Sequence, residues 1–468
     1  MGVTRIIVFG TGSSAASFLA NLDDAVQTVA CLDNNSEKQG TIWNGIPVLA
    51  PEQVVALDYD YVVIASQFLE PIRDQLLGLG VRPEKILPMY PGHYSWLLRQ
   101  DYRAALDRLY RKRYAGSERP RIVLLSASRS GCNARALYEY APETIRRRYD
   151  IHLADSQFTG MDVDCVVTTH RNFTLVGNGI NVELWHGFPL KAMGRMNNSE
   201  EDLPALENWH DVQGVISYSP LYTTLISACF PTMAKQFVVT GAPRNDRLFR
   251  SDGRSVLSRV LSQPLGNKKV IFYMPTFRYF SSRGRTEGSR CWTNVFDIPG
   301  FDEERFASFL NQNHAILVIK IHPFEEKKWL ERIPSRDYFQ LLTEQMLEDH
   351  DLDLYEILNA VDILITDYSS VFFDYLLLDR PILFVPTDLE QYRRTRGFLL
   401  EPYEWWTPGD KALNQEELEN GILSALADPG RHAKWRRDIC TLVHVYKDGS
   451  SSERVWRMID RLLTAKVN

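Results

Sequence analysis

"ILITDYSSVFFDYLLLDRP", Ile363 to Pro381, is the stretch on which the fold reading turns. An apolar run ends in Asp367-Tyr368-Ser369-Ser370, and the helical pattern that follows is apolar on nearly every side except at Asp374. A short, fully apolar strand feeding such a helix is the repeating unit of a parallel sheet covered on both faces. Polar residues at its mouth therefore fall on the carboxyl edge of the sheet, where open α/β folds bind ligands. Ser369-Ser370 reads most simply as a helix N-cap. Its other reading is an anion site, because a helix start offers unpaired N–H groups and the positive end of a dipole. Asp374 lies one turn on, along the same face. It would repel phosphate, so it reads as a partner for a polyol hydroxyl or as a helix-stabilising carboxylate.

The same pattern recurs outward from this unit. "KKVIFYMPTFR", "HAILVIKIHPFE" and "RPILFVPT" belong with it, and "RPRIVLLSAS", "DCVVTTH", "NVELWHG", "GVISYS" and "KQFVVTGAPRND" form an earlier α/β series. Chemistry-bearing residues follow the strands: His186 and Gly187; Arg244, Asn245 and Asp246; Thr276 and Arg278; Lys320 and His322; Ser369 and Ser370. Each taken singly reads as a turn, a cap or a hydrogen-bonded structural residue. Five such clusters on one sheet edge point to two Rossmann-like halves facing a cleft. The expected class is α/β.

A third pattern occupies residues 1–90. "VFGTGSSAA" places Gly10, Gly12 and Ala15 as G-x-G-x-x-A between a strand and a helix, and Asp33 follows the second strand. That is the dinucleotide fingerprint with its ribose-binding acid. No hydride-transfer residue follows it, so two readings stand: nucleotide binding at Gly10, Gly12 and Asp33, or a non-catalytic, regulatory domain. Residues 91–118 have helical spacing and a basic end, which suggests a linker helix or an interfacial helix on anionic lipid. The expected division is 1–90, the linker at 91–118, a first half at 119–262, and a second half with closing helices at 263–468. Arg278–Asn294, polar and glycine-rich, reads as a mobile loop.

Composition sets the outer limits. The chain has 468 residues, 44% hydrophobic and 24% charged, with net charge -6. That length is enough for about three domains. It excludes a disordered or nucleic-acid-coating protein, and an anionic ligand needs a local positive site. Cys31, Cys132, Cys165, Cys229, Cys291 and Cys440 form no C-x-x-C pair and read as buried thiols of a reducing cytoplasm. The N-terminus is a strand and glycine turn rather than a signal peptide. No uncharged run reaches the ~20 residues that span a bilayer.

"ELWHGFPLKAMG", "VVTGAPRNDRLF", "FYMPTFR", "VIKIHP", "DLYEILNAVDILITDYSSVFFDYLLLDRPILFVPTDLEQYRRTRGF" and "PGD" occur in this order. Together they resemble the CDP-glycerol glycerophosphotransferase family, which includes teichoic-acid and capsule polymerases, over roughly residues 120–440. The resemblance implies a GT-B fold. It implies transfer of a polyol phosphate, glycerol phosphate first, from a CDP-polyol to a hydroxyl of a lipid-linked or glycan acceptor, releasing CMP. It further implies His186 as general base and His322 as the histidine holding the attacked phosphate. Gly187, Pro189, Lys191, Arg244, Pro275, Thr276, Arg278, Lys320, Ser369, Ser370 and Asp374 match positions around the donor. Two positions depart from the family pattern: Phe188 replaces the usual Thr after "HG", and Lys320 replaces the usual Arg, keeping the charge but losing the bidentate fork.

Such a reaction is phosphoryl transfer, catalysed by positioning and charge neutralisation. His186 suits the proton transfer, and His322, Lys320, Arg244 and the Ser370 helix end would offset the diphosphate. No cofactor or divalent metal is expected of the transfer, and the D-x-D triplets at 58–60, 162–164 and 351–353 read as caps and turns. A nucleic-acid partner is not expected. The expected location is the cytoplasm, free or on the inner face of the cell membrane. The competing readings are a GT-B glycosyltransferase using a nucleotide sugar, a CDP-ribitol-dependent transferase, and a non-enzymatic glycan-binding sensor.

Overall fold

The computed structural model describes residues 3–66, 68–89, 105, 109, 118–126, 128–155, 163–170, 179–198, 209, 212–280, 285–286, 288–289, 294–322, 325–326 and 338–467. Most of the predicted linker helix and much of the predicted loop at 278–294 lie outside these residues.

Among the described residues there are three six-stranded sheets and one two-stranded one. The first contains β1 (Thr4–Phe9), β2 (Val26–Leu32), β3 (Ile42–Trp43), β4 (Ile46–Leu49), β5 (Tyr61–Ile64) and β6 (Ile86–Pro88), in the order β3-β4-β2-β1-β5-β6. All its pairs are parallel except β3 with β4. The second contains β7 (Arg121–Ser126), β8 (Asp150–Asp155), β9 (Cys165–Thr168), β10 (Ile180–Glu183), β11 (Gly214–Ser217) and β12 (Phe237–Val239), ordered β12-β11-β10-β9-β7-β8 and parallel throughout. The third begins with β13 (Lys269–Tyr273). A two-residue hairpin follows, β14 (Tyr279–Phe280) with β15 (Arg285–Thr286). The sheet continues with β16 (Ala315–Ile319), β17 (Phe339–Leu341), β18 (Ile363–Thr366), β19 (Ile382–Phe384) and β20 (Asp410–Lys411), ordered β17-β16-β13-β18-β19-β20 and parallel.

The strands behave as their composition dictates. Every residue of β9, β10, β11, β16 and β18 is buried, as expected of runs covered on both faces. The helix after β18 is shorter than its apolar sequence suggests: Val371–Tyr375, then one 3₁₀ turn Leu376–Leu378. Asp379 adopts a left-handed conformation and ends it. Pro381 two residues on disfavours helical backbone at Arg380, so the chain turns into β19.

The second and third sheets share one continuous core, which runs from Ile122 to Leu463. Backbone and side chain join them at several points. Gly131 N–H donates to Asp353 (2.9 Å), and Leu354 N–H donates to Ser130 Oγ (2.8 Å). Asp353 also caps its own helix, the role expected of that D-x-D triplet. The closing helices include Gln415–Ala427, Ala433–Val443 and Ser451–Val467. The last of these crosses back to the second sheet. Trp456 Nε1 donates to Leu137 O (2.9 Å), and a side chain at Gly214 would strike Leu462 and Met458. The two oxygens of Asp246 accept the N–H groups of Ser451 and Ser452, each at 2.8 Å, so the cap of this helix comes from a loop of the other half. Cys31, Cys132, Cys165, Cys229 and Cys440 are buried free thiols, and Cys291 lies outside the described residues. Among the described residues no helix is long and apolar enough to cross a membrane.

Asp246→Ala removes both hydrogen bonds that start the final helix. The expected loss is about 2 kcal/mol in urea unfolding, accompanied by a change in the emission of Trp456, which lies on that helix and is buried against the second half.

Candidate functional site

The joint between the two halves is organised by a buried ion pair. Arg244, in the turn after β12, donates through Nη2 to Asp374 Oδ2 (2.6 Å) and through Nη1 to His186 O (2.8 Å) and Gly131 O (3.1 Å). Its guanidinium lies over the Tyr355 ring, 4.7 Å from the centroid. Asp374 is fully buried and also accepts from Asn245 Nδ2 (2.9 Å) and Tyr355 OH (2.7 Å). Burial alone would lower the Arg244 pKa, but the neighbouring Asp374 more than offsets this and holds it above its ordinary value. The expectation that Asp374 meets a polyol hydroxyl is therefore corrected: both its oxygens are satisfied inside the protein. Arg244 likewise braces the site from within rather than facing a donor.

That brace shapes the loop carrying His186. Trp185 is left-handed (φ 52) and its N–H donates to Glu183 Oε1 (2.7 Å), which turns the chain sharply out of β10. The exposed His186 has its Nδ1 3.1 Å from Thr169 O. A carbonyl can only accept, so Nδ1 carries a proton, and in the neutral ring Nε2 is the basic nitrogen. The ring stacks on His170 at 4.3 Å and 8°. Sequence reasoning missed Thr169 and His170, although "TTH" at the end of β9 was the available signal. Gly187 follows at the tightest point: a Cβ there would lie 2.8 Å from Ser370 Oγ and 3.2 Å from Arg244 Nη2. Phe188, the departure from the family pattern, is buried against Phe373, with ring centroids 4.6 Å apart. It belongs to the core joining the halves.

Ser369 and Ser370 are half-buried. Ser370 makes no capping hydrogen bond, so the simple N-cap reading does not hold. The five-residue helix behind it is also too short to deliver the full dipole expected from the sequence. What this turn offers is hydroxyl and backbone donors.

Beyond Gly187 the chain pairs with the segment after the helix Leu389–Thr395, through an isolated antiparallel bridge between Lys191 and Phe398. Pro189 is buried, Ala192 N–H donates to Gly397 O (2.9 Å) and Leu399 N–H donates to Leu190 O (2.8 Å). Lys191 Nζ lies 5.8 Å from the centroid of Phe277, whose ring packs on His322 at 4.4 Å. Burial chiefly, with the charges of Lys191 and Lys320, pushes the His322 pKa down to about 4. It is a neutral imidazole at pH 7, so the expectation that it supplies positive charge is corrected to a hydrogen-bonding role.

Two further predicted cations are already neutralised. Lys320 is buried between Glu326 (3.1 Å) and Glu344 (3.2 Å). Arg278 is buried on the rings of Tyr368 and Tyr392 and bonds Asp388 bidentately (2.9 and 2.9 Å) and Asp367 (3.0 Å). Both are braces rather than free ligands, a correction to the sequence reading. Pro275 and Thr276 are buried beside them, with Thr276 N–H on Asp367 Oδ1 (2.8 Å). The structure thus gathers His186, Gly187, Arg244, Ser370 and Asp374 at one joint, and Lys191, Lys320 and His322 at a neighbouring one. Gly10, Gly12 and Asp33 line a separate cavity on the first sheet. No group of three or more His, Cys, Asp or Glu side chains able to hold a metal occurs among the described residues.

Comparison with known proteins adds to this geometry. Residues 147–461 match the family described as CDP-Glycerol:Poly(glycerophosphate) glycerophosphotransferase, and residues 2–87 match "C2185-like, N-terminal". The teichoic acid ribitol-phosphate polymerase TarL of Staphylococcus aureus (strain NCTC 8325 / PS 47) is 28% identical over 291 residues, 59% of this chain and 47% of that protein. The teichoic acid glycerol-phosphate primase of Bacillus subtilis (strain 168) is 24% identical over 341 residues, 68% of this chain and 79% of that one. The chain spans about half the length of TarL and of the related polymerase TarK (47% and 51%). A solved structure of the wall teichoic acid polymerase TagF superposes with a TM-score of 0.60 at 18% identity, covering 86% of this chain and 99% of that one. It carries the GT-B arrangement expected from the sequence.

The unfolded chain binds the His322 proton below about pH 6.5, whereas the folded protein binds it only near pH 4. Stability should therefore fall as pH drops through this window, by up to about 3 kcal/mol once the drop is complete. His322→Asn should flatten that part of the profile, and proton NMR of the histidine ring should show one imidazole titrating near the low end.

Proposed function

The chain belongs to the CDP-glycerol:poly(glycerophosphate) glycerophosphotransferase family, and from this we propose that it transfers a polyol phosphate from a CDP-polyol to an acceptor hydroxyl, releasing CMP. Glycerol phosphate is the first candidate, with a lipid-linked or glycan acceptor of the teichoic-acid or capsule type. The observation that carries the reading is His186: exposed at the joint of the two halves, its ring oriented by the contact of Nδ1 with the Thr169 carbonyl.

In this reading Nε2 of His186 takes the proton of the acceptor hydroxyl as that oxygen attacks the phosphorus bearing the polyol. A new P–O bond forms, the P–O bond to the CMP moiety breaks, and CMP leaves with the electron pair. Neutral His322 donates its ring N–H to a phosphoryl oxygen. Lys191 supplies charge beside it, and Ser369 and Ser370 supply hydroxyl donors. Arg244, Asp374, Arg278 and Lys320 act as positioning residues. None of these steps calls on a metal, so turnover should persist in EDTA. CDP-ribitol is the second reading, supported by the ribitol-phosphate relatives as well as the glycerol-phosphate ones. The inner face of the cell membrane is the proposed place of work.

CMP release should be measured with CDP-glycerol, CDP-ribitol and a UDP-sugar, each with a teichoic-acid-type acceptor. One CDP-polyol should be turned over; consumption of the UDP-sugar alone would replace the proposal with glycosyl transfer. His186→Ala should lower kcat by about 10²–10⁴-fold with little change in Tm, because the ring is exposed.

A further inference from the structure

The first sheet holds a cavity of ≈ 570 Å³ that the transfer reaction does not use. It opens at the carboxyl edge of β1, β2 and β5, and its lining residues follow those three strands. β2 and β5 flank β1 on opposite sides, so the chain leaves β1 where the strand order reverses. That is the position at which open parallel sheets bind ligands, and the volume suits a small organic molecule.

Two glycines in the turn after β1 differ in what demands them. Gly10 is required by the fold: its φ is +112, and a Cβ would approach Ala65 O to 3.1 Å. Gly12 is not. Its backbone (φ -96, ψ -170) suits any residue, and a Cβ there would meet nothing within 4 Å. The space it leaves empty is the cavity itself. A glycine the protein does not need is explained by a ligand that must approach the backbone closely. On one side of that space stands Asp33, its carboxylate held by Thr11 Oγ1, by Asn35 N–H (3.0 Å) and by Lys38 Nζ (3.3 Å). On the rim stands Phe68, a ring left 55% exposed.

We propose that this cavity binds a nucleoside-diphosphate ligand, with the diphosphate passing over Gly12 and Ser13, a ribose on the Asp33–Lys38 side, and an aromatic group of the ligand against Phe68. Backbone N–H groups at the start of the helix Ser13–Ala20 face the diphosphate. Asp33 and Lys38 together offer an acceptor and a cation to ribose hydroxyls. The ring of Phe68 gains a stacking partner in place of water.

The test is isothermal titration of the full chain with NAD+, NADP+, ADP-ribose and UDP-glucose, repeated on Gly12→Val. The valine should fold with unchanged Tm and leave CMP release from CDP-glycerol unchanged, because its side chain occupies only empty space in the first domain. At least one probe should bind the native protein with Kd below about 1 mM, and the variant should weaken that binding by at least about tenfold. Absence of saturable binding with all four probes overturns the proposal, as does equal affinity in the variant. The CMP-release assay reads the transferase proposal separately, so either can fail without the other.

Discussion

The contact between Arg244 and Asp374 is the constraint from which the site's geometry follows. A guanidinium and a carboxylate this deeply buried are tolerated only when their remaining hydrogen-bonding capacity is met. Asn245, Tyr355, Gly131 and His186 meet most of it from both halves of the molecule, leaving only Arg244 Nε–H without a partner among the described residues. The pair therefore fixes how the halves sit, and its bond to the His186 carbonyl fixes the loop on which the exposed imidazole rides. Gly187 must be small because this brace and Ser370 close on it from two sides.

A pattern of charge follows from that arrangement. Three of the cations that the sequence offers for a diphosphate are bound to carboxylates in the folded chain: Arg244 to Asp374, Arg278 to Asp367 and Asp388, and Lys320 to Glu326 and Glu344. The joint is electrically quieter than a count of basic residues implies. In the transfer proposed above, Lys191 and the uncharged donors of His322, Ser369 and Ser370 are left for the diphosphate, so placement of hydrogen bonds would matter more than bulk positive potential.

Much of the architecture was legible in the amino-acid order because runs such as Ile363–Thr366 and Ala315–Ile319 are apolar throughout, and only a doubly covered parallel sheet uses such runs repeatedly. His186 was legible for a similar reason, standing at the end of one of them. The fates of Arg244 and Arg278 were not. Their carboxylate partners lie 130 and 110 residues away in the chain, and no local periodicity links them. His170 escaped because a histidine after two threonines looks like an ordinary strand terminus until its ring is seen lying flat on His186. The brevity of the helix after Ser370 was also hidden, since its apolar continuation to Leu378 mimics a longer one.

The return of the final helix to the second sheet bears on how this chain is made. Trp456 and Leu137, hydrogen-bonded in the folded state, are 319 residues apart in sequence. On the ribosome, the half that begins near Arg121 has to wait for Ser451–Val467 to emerge before Gly214 and its neighbours are covered. Until then an apolar face of that half stays open to water. Docking of Ser451–Val467 is thus a late, long-range event of the kind that slows folding and favours off-pathway association. Loss of Ser451–Val467 would damage a half of the molecule that was synthesised long before it.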